Sequence, residues 1–137
     1  LSSDTAPEPA REFVPANTEA GDDDLPLIIT VHATERSLLL RVTGELDLNT
    51  VLRLQQALEA ALTPMPEEVI LDFRHLDFID SAGLALLIDL RHRFYDRPSF
   101  LTLLVASEGQ VREVLELSRF DQFFQIEIRD GGPESTG

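Results

Sequence analysis

Val69-Ile70-Leu71-Asp72-Phe73-Arg74-His75-Leu76-Asp77-Phe78-Ile79-Asp80-Ser81-Ala82-Gly83-Leu84 is the stretch on which the reading of this chain turns. Its first five residues form a short apolar run rich in β-branched side chains, the pattern of a buried strand. A brief link through Arg74, His75 and Asp77 leads to Phe78-Ile79, and Asp80-Ser81-Ala82-Gly83 follows. Beyond it lies a long apolar helical stretch with no Gly or Pro until Pro98. A hydroxyl therefore stands where a buried segment ends and a helix begins. Backbone N–H groups point outward at such a place, and the helix dipole favours added negative charge. It is a suitable position at which to add and remove a phosphate.

Composition narrows the classes. With 137 residues, 43% of them hydrophobic, the chain holds one globular domain. A net charge of -14 argues against nucleic acid or an anionic membrane as partner and reads as a basic partner or merely as solubility. The absence of cysteine excludes disulfides, thiol nucleophiles and cysteine-based zinc sites. No apolar run approaches the ~18 residues of a membrane span. The first residues show neither the basic nor the apolar region of a signal peptide, so a cytoplasmic location is expected. All 11 basic residues are arginines. Without lysine there is no P-loop and no Schiff base, and a phospho-aspartate receiver centred on Asp72 lacks its usual lysine.

Working outward from the central stretch, residues 1–25 are rich in Ser, Asp, Glu, Pro, Ala and Thr and read as a disordered acidic arm. Its only apolar pair, Phe13-Val14, is a docking point or incidental. Residues 26–130 form the domain, and 131–137 a frayed tail. Leu27 to His32 and Ser37 to Thr43 read as an antiparallel hairpin turning at Ala33-Thr34-Glu35-Arg36. In its second strand Leu38, Leu40 and Val42 alternate with Leu39 and Arg41, giving one fully apolar face. Gly44-Glu45-Leu46-Asp47-Leu48-Asn49-Thr50 reads as a polar loop, with Asn49 or Thr50 capping a helix that buries Val51, Leu54, Leu58 and Leu62. Pro64 and Pro66 end that helix. Phe100 to Val105 reads as a buried strand, and Ser107 as the cap of a third helix carrying Val111, Val114, Leu115 and Leu117. Phe123 to Ile128 reads as a short final strand or a helix-flanking segment. The expected fold is α/β: a mixed β-sheet with an N-terminal hairpin and βαβ units, helices packed on the sheet.

At about 100° per residue, Leu86, Leu87, Leu90 and Phe94 of the central helix share one arc and face the sheet, with Asp89, His92 and Arg93 opposite. Leu84 and Ile88 escape both groups, near Arg91. An apolar pair outside the core arc, close to Ser81, is a candidate partner-binding patch unless another part of the chain covers it.

At these residues the sequence resembles a STAS domain of the anti-sigma-factor antagonist (anti-anti-sigma factor) family. The resemblance covers most of residues 27–129. It is carried by Phe78-Ile79-Asp80-Ser81-Ala82-Gly83-Leu84 after Val69-Ile70-Leu71-Asp72-Phe73, and by Gly44-Glu45-Leu46-Asp47 upstream. The segment Val105 to Leu117 is similar to the family's third helical region. The resemblance implies a bacterial transcription regulator, not an enzyme, with neither cofactor nor metal. Such a protein binds an anti-sigma factor that is also a serine kinase, and so releases a sigma factor. It is switched off by phosphorylation of a serine that falls on Ser81, and a serine phosphatase acting on phospho-Ser81 reverses this. The partner-binding surface then falls on Asp47, Asp80, Ala82, Gly83, Leu84 and Ile88. Where many relatives carry a second hydroxyl residue after the acceptor, this chain has Ala82, leaving one acceptor in the loop.

Other readings remain. Ser81 can be an ordinary N-cap. As a nucleophile it lacks the Gly-x-Ser-x-Gly elbow, since position 79 is Ile. His75 could approach it, but His92 is almost three turns along the helix. His32, His75 and His92 have no zinc-ligand spacing, and Asp77 and Asp80 lie on a loop without an evident cleft. STAS domains also serve as regulatory subunits beside transport ATPases. That alternative stays open as an accessory subunit of a transporter or another complex.

Overall fold

The computed structural model describes residues 11–13, 27–96 and 101–130. In chain order these form strands β1 (Arg11–Phe13), β2 (Leu27–Ala33) and β3 (Ser37–Leu46), helix α1 (Val51–Ala61), strands β4 (Glu68–Asp72) and β5 (Leu76–Ile79), and helix α2 (Ser81–Arg93). Strand β6 (Leu101–Val105), helix α3 (Gln110–Leu117), a 3₁₀ turn (Phe120–Gln122) and strand β7 (Gln125–Ile128) complete the domain. The expected α/β class, hairpin and βαβ units are all present.

The hairpin closes because Thr34 organises its turn. The Thr34 hydroxyl accepts from the amides of Arg36 and Ser37 at 3.2 and 3.0 Å, a side-chain substitute for a backbone turn bond. Strands β2 and β3 then pair antiparallel from Leu27 opposite Gly44 to Ala33 opposite Leu38. Leu38, Leu40, Val42 and Leu46 of β3 are buried, as the alternation predicts. The sheet runs β1-β2-β3-β4-β6-β7, and β5 sits beside the far end of β3. Strand β3 is long enough to serve two parallel neighbours, β4 against Ser37–Arg41 and β5 against Gly44–Leu46. The register shifts at Gly44, whose φ of 114° suits glycine. Between β4 and β7, every residue of β6 is buried, the mark of a strand covered on both faces.

Several expectations are corrected. Gly44, Glu45 and Leu46 belong to β3 and not to a loop, and Asp77 lies in strand β5 and not in a link. Strand β5 has only four residues, with its middle two exposed, so no alternation announces it. Arg11–Phe13, inside the stretch read as an arm, pairs antiparallel with β2; the rest of that stretch, Phe100 and the C-terminal tail lie outside the described residues. Helix α3 starts at Gln110 after Gly109, not at Ser107. Ser107 instead gives its amide and hydroxyl to the Asp130 carboxylate at 3.1 and 2.6 Å, pulling that carboxyl below its usual range. Leu117, at the end of α3, is 83% exposed and leaves the core to Val111 and Leu115, with Val114 half-buried against them.

Helix α2 buries Leu86, Leu87 and Leu90, and Phe94 at its C-cap is buried with them, the arc read from the sequence. It approaches the sheet closely at Gly83. A Cβ there would lie 2.7 Å from Ile79 Cγ1 and 3.0 Å from Leu46 Cδ2, both side chains fully buried. Only glycine lets the first turn of α2 lie against β3 and β5 at this distance.

The end of β4 carries an ionic cluster. The Asp72 side chain is fully buried and accepts from Arg74 Nε and Nη2 at 2.8 Å each, from the Arg74 amide at 3.1 Å and from Arg41 Nε at 3.1 Å. Burial alone pushes the carboxyl up. The hydrogen bonds from Arg74 and Arg41 outweigh it, and the carboxyl lies below its usual value of 3.8. Asp72 is thus occupied as a structural anion, which fits the sequence argument against a receiver.

Two predictions follow from this packing. Gly83→Ala should lose about 1–2 kcal/mol in urea unfolding, because overpacking outweighs the gain in helix propensity. Asp72→Asn should lose roughly 2–3 kcal/mol near neutral pH, since two guanidinium groups then face a neutral amide. Because the folded Asp72 carboxyl titrates below 3.8, its stabilisation is complete above that pH and is lost as pH falls through the lower, folded value. Urea titrations at neutral and acid pH should therefore show the gap between wild type and Asp72→Asn closing on acidification.

Candidate functional site

The candidate site forms where β3 and β5 both end at their C-terminal edges, the usual position for a site in an open α/β sheet. Leu46 and Ile79 are paired neighbours across β3 and β5, so the loops that follow them start side by side. One loop carries Asp47 to Thr50; the other is Asp80, followed at once by α2.

Asp80 is the N-cap of α2. Its backbone is extended, and its Oδ1 accepts from the amides of Ala82 at 2.9 Å and Gly83 at 3.2 Å. Its Oδ2 accepts from the Leu48 amide at 3.3 Å, and its own amide donates to the Leu46 carbonyl at 3.1 Å. One residue thus joins the end of β3, the neighbouring loop and the first turn of the helix.

Asp47 orders its own loop. Its Oδ1 accepts from the Asn49 and Thr50 amides at 3.0 and 3.2 Å, while its carbonyl accepts from Val51 at 2.8 Å. Thr50 was expected as a cap and does stand at the N-cap position of α1, but its hydroxyl makes no capping bond. Buried at 1% exposure, that hydroxyl turns back instead, lying 2.8 Å from the Glu45 carbonyl it donates to and accepting from the Asp47 amide at 2.9 Å. The loop is therefore preformed, and it is fastened to Asp80 through Leu48.

Ser81 is the first residue of α2 and is exposed. Its hydroxyl has no hydrogen-bond partner among the described residues. The alternative in which Ser81 caps the helix is thereby removed, since Asp80 does so. Ala82 is half-buried and Gly83 buried, so neither presents much side-chain surface. Ile88 stands 44% exposed, as its angle predicts, whereas Leu84 is partly buried against the core. The sequence reading placed both outside the core arc; the first turn of α2 lies close enough to the sheet to draw Leu84 in.

Sequence reasoning passed over further residues. Leu48, 75% exposed, is the residue bonded to Asp80, and Leu52 on the first turn of α1 is 52% exposed. Leu52 could have been noticed, because it falls off the arc of Leu54, Leu58 and Leu62. Gln110 gave no signal. Its side chain bonds both polar groups of Ile79, the residue before Asp80. Of the histidines considered for catalysis or metal binding, His75 and His92 are exposed and His32 half-buried. Among the described residues no cluster of His, Asp and Glu is arranged to hold a metal. The Asp80 carboxylate already accepts three amides, and Asp77 is exposed on β5. No described helix is long and apolar enough to cross a membrane.

No curated protein matches the sequence. The fold, by contrast, is similar to several solved structures. An anti-sigma factor antagonist from Mycobacterium paratuberculosis is 21% identical with a TM-score of 0.66, over 80% of this chain and 90% of that one. The anti-sigma factor antagonist SpoIIAA in its unphosphorylated form is 21% identical with a TM-score of 0.61, over 75% and 89% of the two chains. The Bacillus cell fate determinant SpoIIAA in its phosphorylated form is 20% identical with a TM-score of 0.53, over 75% and 92%. These likenesses are of fold. The family model for the STAS domain matches residues 29–130, from within β2 to just past β7, and the chain belongs to the STAS-domain family.

Proposed function

We propose that this protein is an anti-sigma-factor antagonist, binding an anti-sigma factor that is also a serine kinase and releasing a sigma factor. Phosphorylation of Ser81 switches it off. The observation that carries this reading is the uncommitted, exposed hydroxyl at the first position of α2, with the capping work done by Asp80. A serine retained only as a cap would have its oxygen on the amides that Asp80 takes.

The chemistry follows from that position. Transfer of the γ-phosphoryl group of ATP to Ser81 Oγ forms a phosphoester, with ADP leaving. Hydrolysis by a serine phosphatase restores the hydroxyl. The phosphate adds about -1.5 to -2 charges at neutral pH. Because the Ala82 and Gly83 amides already serve Asp80, the new anion meets a carboxylate beside it and finds those two donors taken. It also enters a surface where Leu48 and Ile88 expose apolar side chains. Burying such an anion beneath a partner is costly, whereas burying the neutral hydroxyl is cheap. The fold does not depend on the Ser81 side chain, so the domain stays intact in both states. The chain's charge of -14 suits a basic partner surface.

Affinity capture from the native lysate with wild-type, Ser81→Ala, Ser81→Asp and Ile88→Asp proteins tests the proposal. Wild type and Ser81→Ala should retain a soluble ATP-binding serine kinase. Ser81→Asp and Ile88→Asp should retain at least tenfold less while melting at the wild-type temperature. Retention of the same partner by all four would refute the switch. Recovery of a membrane transport complex would favour a role as an accessory subunit.

A further inference from the structure

Strand β5 pairs with β3 along one edge. At its last residue, Ile79, the amide and the carbonyl both face the other way, towards α3. Ile79 is fully buried, and buried peptide groups require partners. The carboxamide of Gln110, the first residue of α3, supplies both. Its Oε1 accepts from the Ile79 amide at 2.9 Å, and its Nε2 donates to the Ile79 carbonyl at 2.9 Å. The orientation of this amide is fixed by chemistry, since the Ile79 N–H can only donate. One side chain thus takes the place of a neighbouring strand for one residue.

The position of that residue gives the clamp its meaning. Ile79 immediately precedes Asp80, and its side chain is the nearest contact of the Gly83 position. Gln110 therefore holds the backbone from which Asp80 reaches Ala82, Gly83 and Leu48. We propose that Gln110 is a positioning residue for the Ser81 loop, fixing the register in which Ser81 is offered to a protein kinase. The inference rests on Ser81 being the acceptor. It adds that helix α3, through its first residue, sets the geometry of the acceptor. With the clamp removed, the end of β5 and the cap of α2 open locally, and a kinase must order the loop on binding.

Two variants separate the clamp from simple packing. Gln110→Met keeps the length of the side chain and loses both bonds. Gln110→Glu keeps an acceptor for the Ile79 amide but sets a carboxylate against the Ile79 carbonyl. Amide hydrogen exchange is measured at Leu48, Ile79, Ala82 and Gly83, with Ile70 and Leu71 of β4 as the reference. The stoichiometry of phosphate on Ser81 is measured in protein recovered from the native host.

Exchange at the four loop amides should accelerate tenfold or more in Gln110→Met and less in Gln110→Glu, with the β4 amides unchanged. Ser81 phosphate should fall several-fold in the same order. Unchanged exchange at Ala82 and Gly83 would overturn the proposal. So would equal acceleration throughout the domain, or wild-type phosphate stoichiometry in Gln110→Met. If the wild-type protein itself carries no phosphate on Ser81, the acceptor reading fails, and the exchange data alone decide whether Gln110 fixes the loop.

Discussion

The Asp80 carboxylate is the interaction on which the site depends. With one oxygen on the first turn of α2 and the other on the Leu48 amide, it holds two loops in a single arrangement. These loops follow different strands and are joined in sequence only through α1, β4 and β5. Because Asp80 also donates its amide to Leu46, the arrangement is anchored to the sheet. Removal of the carboxylate would leave two helix amides without their cap and would release the Asp47 loop. The exposed hydroxyl of Ser81 is a by-product of this division of labour: the cap is one residue earlier, so the serine is free.

The rest of the domain makes that junction rigid. The bulge at Gly44 lets β3 serve β4 along one half and β5 along the other, which brings the two strand ends together. Gly83 allows the helix to sit within reach of the sheet, and the buried Leu46 and Ile79 side chains fill the space beneath it. At the end of β4, the Asp72 cluster balances a buried anion with two arginines, one half-exposed. Through the bonds of Asp72 to Arg74 it holds the turn between β4 and β5. A phosphate added to Ser81 consequently acts on a surface already built, and the physical effect is a change of charge.

Much of this was legible in the sequence. The alternation of Leu38, Leu40 and Val42 announced one face of β3, and the arc of Leu86, Leu87, Leu90 and Phe94 announced the buried face of α2, because both periodicities are direct consequences of backbone geometry. The Asp80-Ser81 pair placed the helix start, but only Ser81 was weighed as its cap, and Asp80, an equally good cap one position earlier, takes that role. Strand β5 was hidden by its length. Leu84 was misjudged because an angular reading assumes a helix at uniform distance from the sheet, whereas Gly83 brings the first turn closer. Ser107 was spent on Asp130, a partner distant in sequence. Gln110 could not be read at all: a glutamine opening a helix is unremarkable until the fold brings Ile79 beneath it.

The central claim is that a local charge at Ser81 changes the binding surface of an intact domain. The most direct measurement uses protein carrying phosphoserine at position 81, comparing its amide nuclear magnetic resonance spectrum and kinase capture with those of the unmodified chain. The account predicts shifts confined to Leu48, Asp80–Leu84 and their neighbours, an unchanged spectrum for β4 and β6, and loss of the kinase. Kinase retained by the phosphorylated protein, or a spectrum altered throughout the sheet, would contradict it.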